Sequence, residues 1–284
     1  MNAQPRLIVN ADDFGLSTGV NRGIVECYRN GIVRSATLMA NMHGFDDAVE
    51  RARNNPGLGV GVHLNLSWGR PIEVPERVPS LLTDDGRFPG TSVPLVLRSM
   101  MGKLRHRELV KEFRAQIRRV RAAGIIPTHV DTHKHLHLLP IIFRAAITAA
   151  LREGINAIRL PRERLLFPLP HDRRFFHGAR RLTMTALCMV THRYRSQRGM
   201  RTPDNLSGIG WEGRLDEHCL SRIVSSHRSG VLELMVHPGF DDSTSQHFTR
   251  RGLHRKKEIE VLTNPRCFSL LSQHGIKLVH YGTL

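Results

Sequence analysis

Acidic and histidine side chains cluster at four separate places in the sequence. Asp12 and Asp13 follow one apolar run, His63 ends a second, residues 129–137 hold four histidines, and His237 follows a further run. Imidazole nitrogens and carboxylate oxygens bind zinc and other divalent ions, and the same groups transfer protons in catalysis. The residue types therefore predict a metal-assisted or acid–base site that is assembled from distant segments.

The first cluster is a pair of adjacent carboxylates, Asp12 and Asp13. Neighbouring side chains point to opposite faces of a strand, so both can serve one site only if the chain bends, and Phe14-Gly15 offers a bend. Like charges this close repel each other unless a cation intervenes or one group is protonated, which favours a metal. The alternative is a solvated turn that caps the next helix.

The segment after Thr128 places a histidine or an aspartate at every second position. A strand face with these groups packs poorly in a core but suits a metal site. Some members could be exposed loop histidines, yet four histidines within nine residues favour a site. The alternating positions are His129, Asp131, His133, His135 and His137.

His63 and His237 are less specific signals. His63 by itself fits a hydrogen-bonded core histidine better than a ligand, and His237-Pro238-Gly239 could be simple turn chemistry. A residue before proline is held extended, however, which suits a side chain that projects into a cleft. Their common place at strand ends favours a shared site.

Short apolar runs alternate with amphipathic segments along the whole chain, which predicts parallel strands with helices outside them, an α/β fold. Ligands of such sheets gather at the carboxyl ends of the strands, where all the unusual polar residues fall. Strands are predicted at Arg6–Asn10, Ser35–Ala40, Gly59–Leu66, Pro127–Asp131, Ala157–Leu160, Val231–Val236 and Lys277–His280. Helices are predicted at Gly19–Asn30, Phe45–Asn54, Glu108–Ala123, Ile141–Glu153, Arg173–Arg195, Leu215–Ser226 and Asn264–His274.

The absence of repeats and of a composition break predicts a single domain over residues 1–284. Gly69–Pro94 is rich in proline and turn formers and is predicted to be a long loop over the site. Arg173–Arg195 has apolar residues at helical spacing with many arginines between them. It fits an outer barrel helix, or a basic amphipathic helix on an anionic membrane.

The chain carries 42 Lys and Arg residues against 25 Asp and Glu, a formal charge of +17 that attracts anions. The four cysteines have no short-spaced pair, which argues against a disulfide framework or a zinc–thiolate site. The N-terminus lacks the pattern of a signal peptide, and no run reaches the roughly 18 apolar residues of a membrane span. We therefore expect a cytoplasmic protein.

Four sequence motifs contain these polar residues: Leu7–Gly15, Gly61–Leu66, Thr128–His137 and Met235–Gly239. In their sequence and order they resemble the motifs of the YdjC family of carbohydrate deacetylases, which includes the chitooligosaccharide deacetylases. The resemblance implies an irregular (β/α) barrel and a divalent metal, magnesium or zinc, held by an aspartate and two histidines. It also implies hydrolysis of an acetamido group on an amino sugar.

The resemblance also implies roles for individual residues. Asp13, His63 and His133 match the metal ligands, Asp12 the general base and His237 the general acid. Family members often have a third adjacent histidine where this chain has Lys134, which leaves the roles of His135 and His137 open. The residues expected to bind substrate are Asn10, Asn65, Asp131 and His135.

A basic helical insertion at about 162–210 has no expected counterpart in the compact chitooligosaccharide enzymes. With the overall charge, it makes the chain similar to the hopanoid-biosynthesis-associated subgroup. That similarity implies an acetylglucosamine attached to a polycyclic lipid as substrate and peripheral contact with the inner membrane surface. A homodimer is a further expectation.

Three alternatives remain open from the sequence. A glycosidase would need a second carboxylic acid several ångströms away across the sugar, whereas adjacent Asp12 and Asp13 beside histidines fit a metal better. A binder of nucleic acid or anionic lipid is suggested by the charge, but no nucleic-acid partner is expected because aromatic content is 6% and no nucleic-acid-binding motif is present. The third is a metal-binding but catalytically idle partner of a lipid-modifying complex.

Overall fold

The computed structural model describes residues 4–163, 195–196, 198–209, 215–248 and 252–284. Within these ranges, seven parallel strands form one sheet in the order β4-β3-β2-β1-β6-β5, and β7 also pairs with β1. The sheet curves into a half-barrel with helices around it, which confirms the predicted α/β fold. The strands are β1 Arg6–Phe14, β2 Ser35–Leu38, β3 Gly59–Leu64, β4 Val130–Thr132, β5 Asn205–Ser207, β6 Val231–Val236 and β7 Lys277–Val279.

The helices follow from amphipathic patterns whose apolar residues face the sheet. In α1, Ser17 is the N-cap and accepts a hydrogen bond from the Val20 N–H, while Val20, Ile24 and Cys27 are buried. The described helices are α1 Thr18–Arg29, α2 Phe45–Arg53, α3 Val93–Met100, α4 His106–Ala122, α5 Pro140–Arg152, α6 Glu217–Ser226, α7 Ser243–Phe248, α8 Gly252–Leu262 and α9 Arg266–Gln273.

Strand β1 is the centre of the sheet because it has partners along its whole length. Residues 6–11 pair with β6, residues 6–8 pair with β7, and residues 10–14 pair with β2. A parallel strand flanked in this way is buried on both faces, which explains its nearly continuous apolar start. The carboxyl end of β1 therefore lies among the carboxyl ends of β2, β3 and β6.

Several predictions of strands and helices from the sequence were wrong. Ala157–Leu160 is not a strand: it makes only isolated bridges, from Ala157 to Arg201 and from Ile158 to Val130. The three-residue strand β5 was missed because Asn205–Ser207 has no apolar run. Helices α3, α7 and α8 were also missed, and α3 begins at Val93, inside the segment Gly69–Pro94 that was predicted to be a long loop. The predicted basic helix Arg173–Arg195 lies almost entirely outside the described residues.

Among the described residues, none of the helices is long and apolar enough to cross a membrane.

We predict that Gly23→Ala destabilises the fold although alanine is the better helix former. A Cβ at position 23 of α1 would lie 2.5 Å from Gly239 Cα, in the turn after His237. Overpacking against backbone costs about 1–3 kcal/mol, which exceeds the gain in helix propensity of about 1 kcal/mol. Chemical denaturation measures the change in the free energy of unfolding.

Gly57→Ala is the matched control, because its Cβ would lie 2.6 Å from the Tyr28 hydroxyl, the tip of a side chain that can move. Equal stability of the two variants would contradict the close approach of α1 to the turn at Gly239.

Candidate metal and catalytic centre

The end of β1 carries a backbone irregularity that brings both aspartates into one site. Asp13 has φ +68°, and the register between β1 and β2 shifts between Ala11 and Phe14. Aspartate tolerates this left-handed conformation better than most residues. The bend is therefore at Asp13 itself, one residue before the Phe14-Gly15 step where the sequence suggested it.

Asp13 faces the two histidines of the predicted ligand set. Its Oδ1 lies 3.6 Å from His63 Nε2 and 4.0 Å from His133 Nε2. Oδ1 is buried and has no hydrogen-bond partner among the described residues. Ligand atoms about 2.0–2.2 Å from a shared zinc ion would be separated by about 3–4 Å, so each of these two distances is compatible with a divalent cation between Asp13 and the histidine.

Each of these three side chains is oriented by a second contact. His63 Nδ1 lies 2.6 Å from Asp131 Oδ1, and His133 Nδ1 lies 2.7 Å from Ser67 Oγ. Outer contacts of this kind fix the ring orientation of metal-binding histidines. Arg255 Nη2 donates to Asp13 Oδ2 at 2.5 Å, which leaves Oδ1 as the open oxygen.

The electrostatics of this site favour a positive charge between the aspartate and the histidines. Burial opposes ionisation of His63, but Asp131, Asp12 and Asp13 outweigh it and raise the pKa of His63 to about 9. Burial also opposes ionisation of Asp13, but Arg255, His133, His237 and His63 hold its pKa well below the ordinary value. Surroundings that retain a proton on His63 would also stabilise a metal ion at Nε2.

Asp12 is held by a buried arginine that the sequence analysis did not identify. Arg159 donates from Nη1 to Asp12 Oδ2 and from Nη2 to Asp12 Oδ1, both at 2.6 Å. The same guanidinium lies 2.5 Å from Asp131 Oδ2 and donates to Glu233 Oε1 at 2.8 Å. Burial alone would raise the pKa of Asp12, but Arg159 outweighs it and keeps this carboxyl ionised.

A second group of buried residues could also hold a metal ion. Asp12, His63 and Asp131 offer one ligand atom each within 4.8 Å of one another. Both carboxylates of this group already bind Arg159, and a divalent ion there would have to compete with the guanidinium. The open oxygen of Asp13 makes the set Asp13, His63 and His133 the better candidate.

His237 closes the site from the end of β6. Its imidazole is close enough to both Asp12 and Asp13 to help lower their pKa values. Its backbone is held by two residues of α8: the His237 N–H donates to Glu258 Oε2 at 2.5 Å, and Arg255 Nη1 donates to the His237 carbonyl at 3.3 Å. One face of α8 therefore positions both Asp13 and His237.

The residues predicted to bind substrate lie around the site in buried positions. Asn10 Nδ2 donates to Asp12 Oδ1 at 2.9 Å, and Asp131 holds His63 and Arg159. Asn65 Oδ1 accepts from Ser67 N–H at 2.9 Å and so shapes the turn that carries Ser67. His135 is buried with φ +54°. Contact of Asn10, Asn65, Asp131 or His135 with substrate stays a prediction.

The two other histidines of the segment, His129 and His137, are fully buried. His129 stacks on Tyr281 with ring centroids 3.6 Å apart, and burial leads the effects that lower its pKa well below the ordinary value. His137 Nδ1 lies 2.6 Å from Thr132 Oγ1, and burial, with Arg159 and His63, lowers its pKa to about 3. The alternating positions in the sequence therefore do not share one environment. His133 faces Asp13, whereas His129 and His137 make other contacts.

Arg159 and Arg255 are the main site residues that sequence reasoning missed. Arg159 had a usable signal, since it is the single charge in the apolar run 157–160 and a charge buried there needs carboxylate partners. Arg255 had no such signal in the sequence. It lies in the run 254–258 of mostly charged residues, which is typical of a solvated helix.

We predict that Arg159→Met lowers the free energy of unfolding by about 3–5 kcal/mol, since removing one partner leaves buried carboxylates uncompensated. Arg159 is fully buried against Asp12, Asp131 and Glu233. Urea denaturation of the purified variant measures the loss.

The matched control is Arg118→Met, whose exposed side chain pairs with Glu153. It should cost at most about 1 kcal/mol. A loss for Arg159→Met as small as that of the control would show that the buried ion cluster does not stabilise the fold.

Comparisons with known proteins extend over nearly the whole chain. A family model described as YdjC-like protein matches residues 6–273. A carbohydrate deacetylase of Brevibacillus brevis is 34% identical over 280 residues, covering 98% of this chain and 99% of the relative. A carbohydrate deacetylase of Geobacillus stearothermophilus is 33% identical, covering 96% of each chain.

A solved structure has the same fold over its full length. It is the crystal structure of an Enterococcus faecalis V583 protein described as a candidate for cellobiose-phosphate cleavage. The match has a TM-score of 0.80 and 26% identity, and it covers 99% of each chain.

Proposed function

Because the chain belongs to the YdjC-like family, we propose that it is a carbohydrate deacetylase, a hydrolase that removes the acetyl group from an N-acetylated amino sugar. The observation that carries the proposal is the convergence of Asp13 Oδ1, His63 Nε2 and His133 Nε2 beside Asp12 and His237. Amide hydrolysis needs a polarised carbonyl, an activated water and a proton for the departing nitrogen. This centre has a group for each need.

Asp13, His63 and His133 would hold one divalent metal ion, zinc or magnesium. When bound, the ion would polarise the acetyl carbonyl and lower the pKa of a water molecule. The open Asp13 oxygen and the oriented histidine rings support this ligand set. Neutral imidazole nitrogens with one carboxylate suit zinc, and other divalent ions fit when waters complete the shell.

Asp12 would accept the proton of the attacking water. Arg159 keeps this carboxylate ionised and fixes its plane, and a carboxylate still has free lone pairs after binding one guanidinium. Its lowered pKa makes it a weak base. Proton transfer to Asp12 therefore requires that the water itself be acidified.

His237 would stabilise the oxyanion or give a proton to the amine nitrogen as the C–N bond breaks. Its backbone is fixed at both the N–H and the carbonyl by Glu258 and Arg255, and its imidazole is near enough to Asp12 and Asp13 to affect their pKa values. The oxygen of water forms the new bond to the acetyl carbon, and the products are acetate and the free amino sugar.

Aromatic rings at the rim of the site support a sugar substrate. The Trp68 ring lies 4.1 Å from His133 and 5.6 Å from Phe248, measured between centroids. Both aromatic side chains are half-buried. Such rings offer an apolar surface beside polar groups, which suits the C–H face of a sugar with its hydroxyls turned to solvent.

The finer expectations are proposals that rest on the sequence. We propose that the substrate is acetylglucosamine attached to a hopanoid lipid and that the protein contacts the inner membrane surface. We also propose that the chain is a single domain with a basic insertion at about 162–210 and that it forms a homodimer. The competing interpretations, a nucleic-acid binder and a catalytically idle metal-binding partner, predict that no acetate is released.

We predict that Asp12→Asn retains metal and lowers turnover about 10²–10⁴-fold, the usual contribution of a general base. Asp13→Asn and His133→Ala should lose both metal and turnover, because they remove proposed ligands. Elemental analysis of the purified variants gives metal content, and acetate release gives turnover.

Asp85→Asn, in an exposed loop, is the control and should match the unsubstituted protein. Loss of metal in Asp12→Asn with full metal in His133→Ala would show that the metal binds to Asp12, His63 and Asp131 instead. Near-normal turnover in all variants would contradict the proposed roles of Asp12, Asp13 and His133.

The proposed function itself is tested by acetate release from N-acetylglucosamine oligomers and from an acetylglucosaminyl hopanoid, each with and without a chelator. We expect chelator-sensitive release from the hopanoid. Release from oligomers alone would support the deacetylase function and contradict the hopanoid substrate. Release from neither would favour the catalytically idle metal-binding partner.

A further inference from the structure

Helix α3 exposes an apolar face to solvent. The exposed fractions are 61% for Val93, 50% for Leu97, 79% for Met100 and 56% for Met101, the residue that follows the helix. At about 100° of rotation per residue, the four positions lie within roughly 100° of arc. Single exposed apolar side chains are ordinary, whereas a contiguous set on one face indicates an interaction surface.

The opposite side of the helix is firmly attached to the protein. Leu95 is fully buried, and Leu104 is buried just beyond the helix. Arg98 Nη1 donates to the Ser80 carbonyl at 3.1 Å. The apolar face is therefore presented by a helix that is anchored by its other side.

The surroundings of this face are basic. Residues 86–107 contain five lysines and arginines and no aspartate or glutamate. A groove of about 610 Å³ near the end of this segment has the charged lining residues Arg77, Arg105, Arg107 and Lys111, with Glu76 and Glu108. Glu108 is already engaged by the Ser80 N–H at 2.7 Å and by Arg105. Arg77 also pairs with Glu73, at 3.5 Å. With four cationic side chains against two carboxylates, the lining of the groove has a net positive charge, which favours anionic groups.

The same segment borders the candidate catalytic site. Helix α3 begins three residues after Gly90, whose carbonyl accepts hydrogen bonds from Trp68 Nε1 at 2.9 Å and from Lys134 Nζ at 3.2 Å. Trp68 in turn packs on His133. A surface that binds α3 would therefore lie near the rim of the site.

We propose that the apolar face of α3 and the adjacent basic groove dock the protein on the surface of an anionic lipid bilayer. The apolar side chains would enter the boundary between headgroups and acyl chains, and the lysines and arginines would contact anionic headgroups. A second copy of the chain is a poorer occupant, because a two-fold interface would place this basic segment against itself. Docking does not depend on the proposed deacetylation, since it concerns binding alone.

The test is co-sedimentation of the full-length protein with vesicles of phosphatidylcholine alone or of phosphatidylcholine mixed with phosphatidylglycerol. We expect binding to the anionic vesicles and a loss of about tenfold or more in partitioning for Leu97→Gln/Met100→Gln, since two of the four exposed apolar side chains are removed. Lys103→Glu/Arg107→Glu should also weaken binding, because it reverses charge beside the face.

Ile126→Gln is the matched control. Ile126 is 85% exposed and precedes β4, at the opposite end of the sheet from the site. Its binding should equal that of the unsubstituted protein. Unchanged melting temperatures would show that the exposed substitutions leave the fold intact, and Met100→Gln alone should give a smaller loss in the same direction.

Equal vesicle binding by the unsubstituted protein and Leu97→Gln/Met100→Gln would overturn the proposal. So would the absence of any preference for anionic vesicles. If analytical ultracentrifugation shows a dimer that dissociates in the double variant, without vesicle binding, the face belongs to a second copy instead.

Discussion

The structure depends on neutralising carboxylates that are buried at one end of a parallel sheet. Asp12, Asp13 and Asp131 are almost completely removed from solvent, and a buried charge without a partner is strongly destabilising. Arg159 and Arg255 provide the compensation from parts of the sequence far from β1. The packing of the 157–160 segment and of α8 against the sheet is therefore tied to the site.

The two arginines compensate the two adjacent aspartates unequally. Arg159 occupies both oxygens of Asp12, whereas Arg255 occupies one oxygen of Asp13 and leaves the other facing two imidazoles. One carboxylate is thereby held ionised and fixed, and its neighbour is available to a cation. Adjacent residues of the same type are thus in different electrostatic surroundings because their partners differ.

Helix α4 holds the loop beside the site through two buried side chains, Glu112 and Gln116. The Glu112 carboxylate accepts the backbone N–H groups of Ile72 and Glu73, and Gln116 bonds both backbone groups of Asn65. These contacts fix the turn that presents Ser67 to His133. The same segment continues into α3, so the rim of the site and the exposed apolar face share one support.

The sequence alone determined the parallel α/β architecture and the segments that meet at the site, because apolar periodicity and the polar residues at strand ends are local signals. Together with the family resemblance it also predicted a site at Asp12, Asp13, His63, His133 and His237, and the structure places these residues close together. Only the tertiary structure decided the partner of each group. The bend at Asp13, the different settings of the four histidines and the arginine contacts depend on long-range packing, and such packing leaves no periodic trace in the sequence. Arg255 shows this most clearly: its neighbours in sequence suggest a solvated surface, yet it lies buried against Asp13, 242 residues away along the chain.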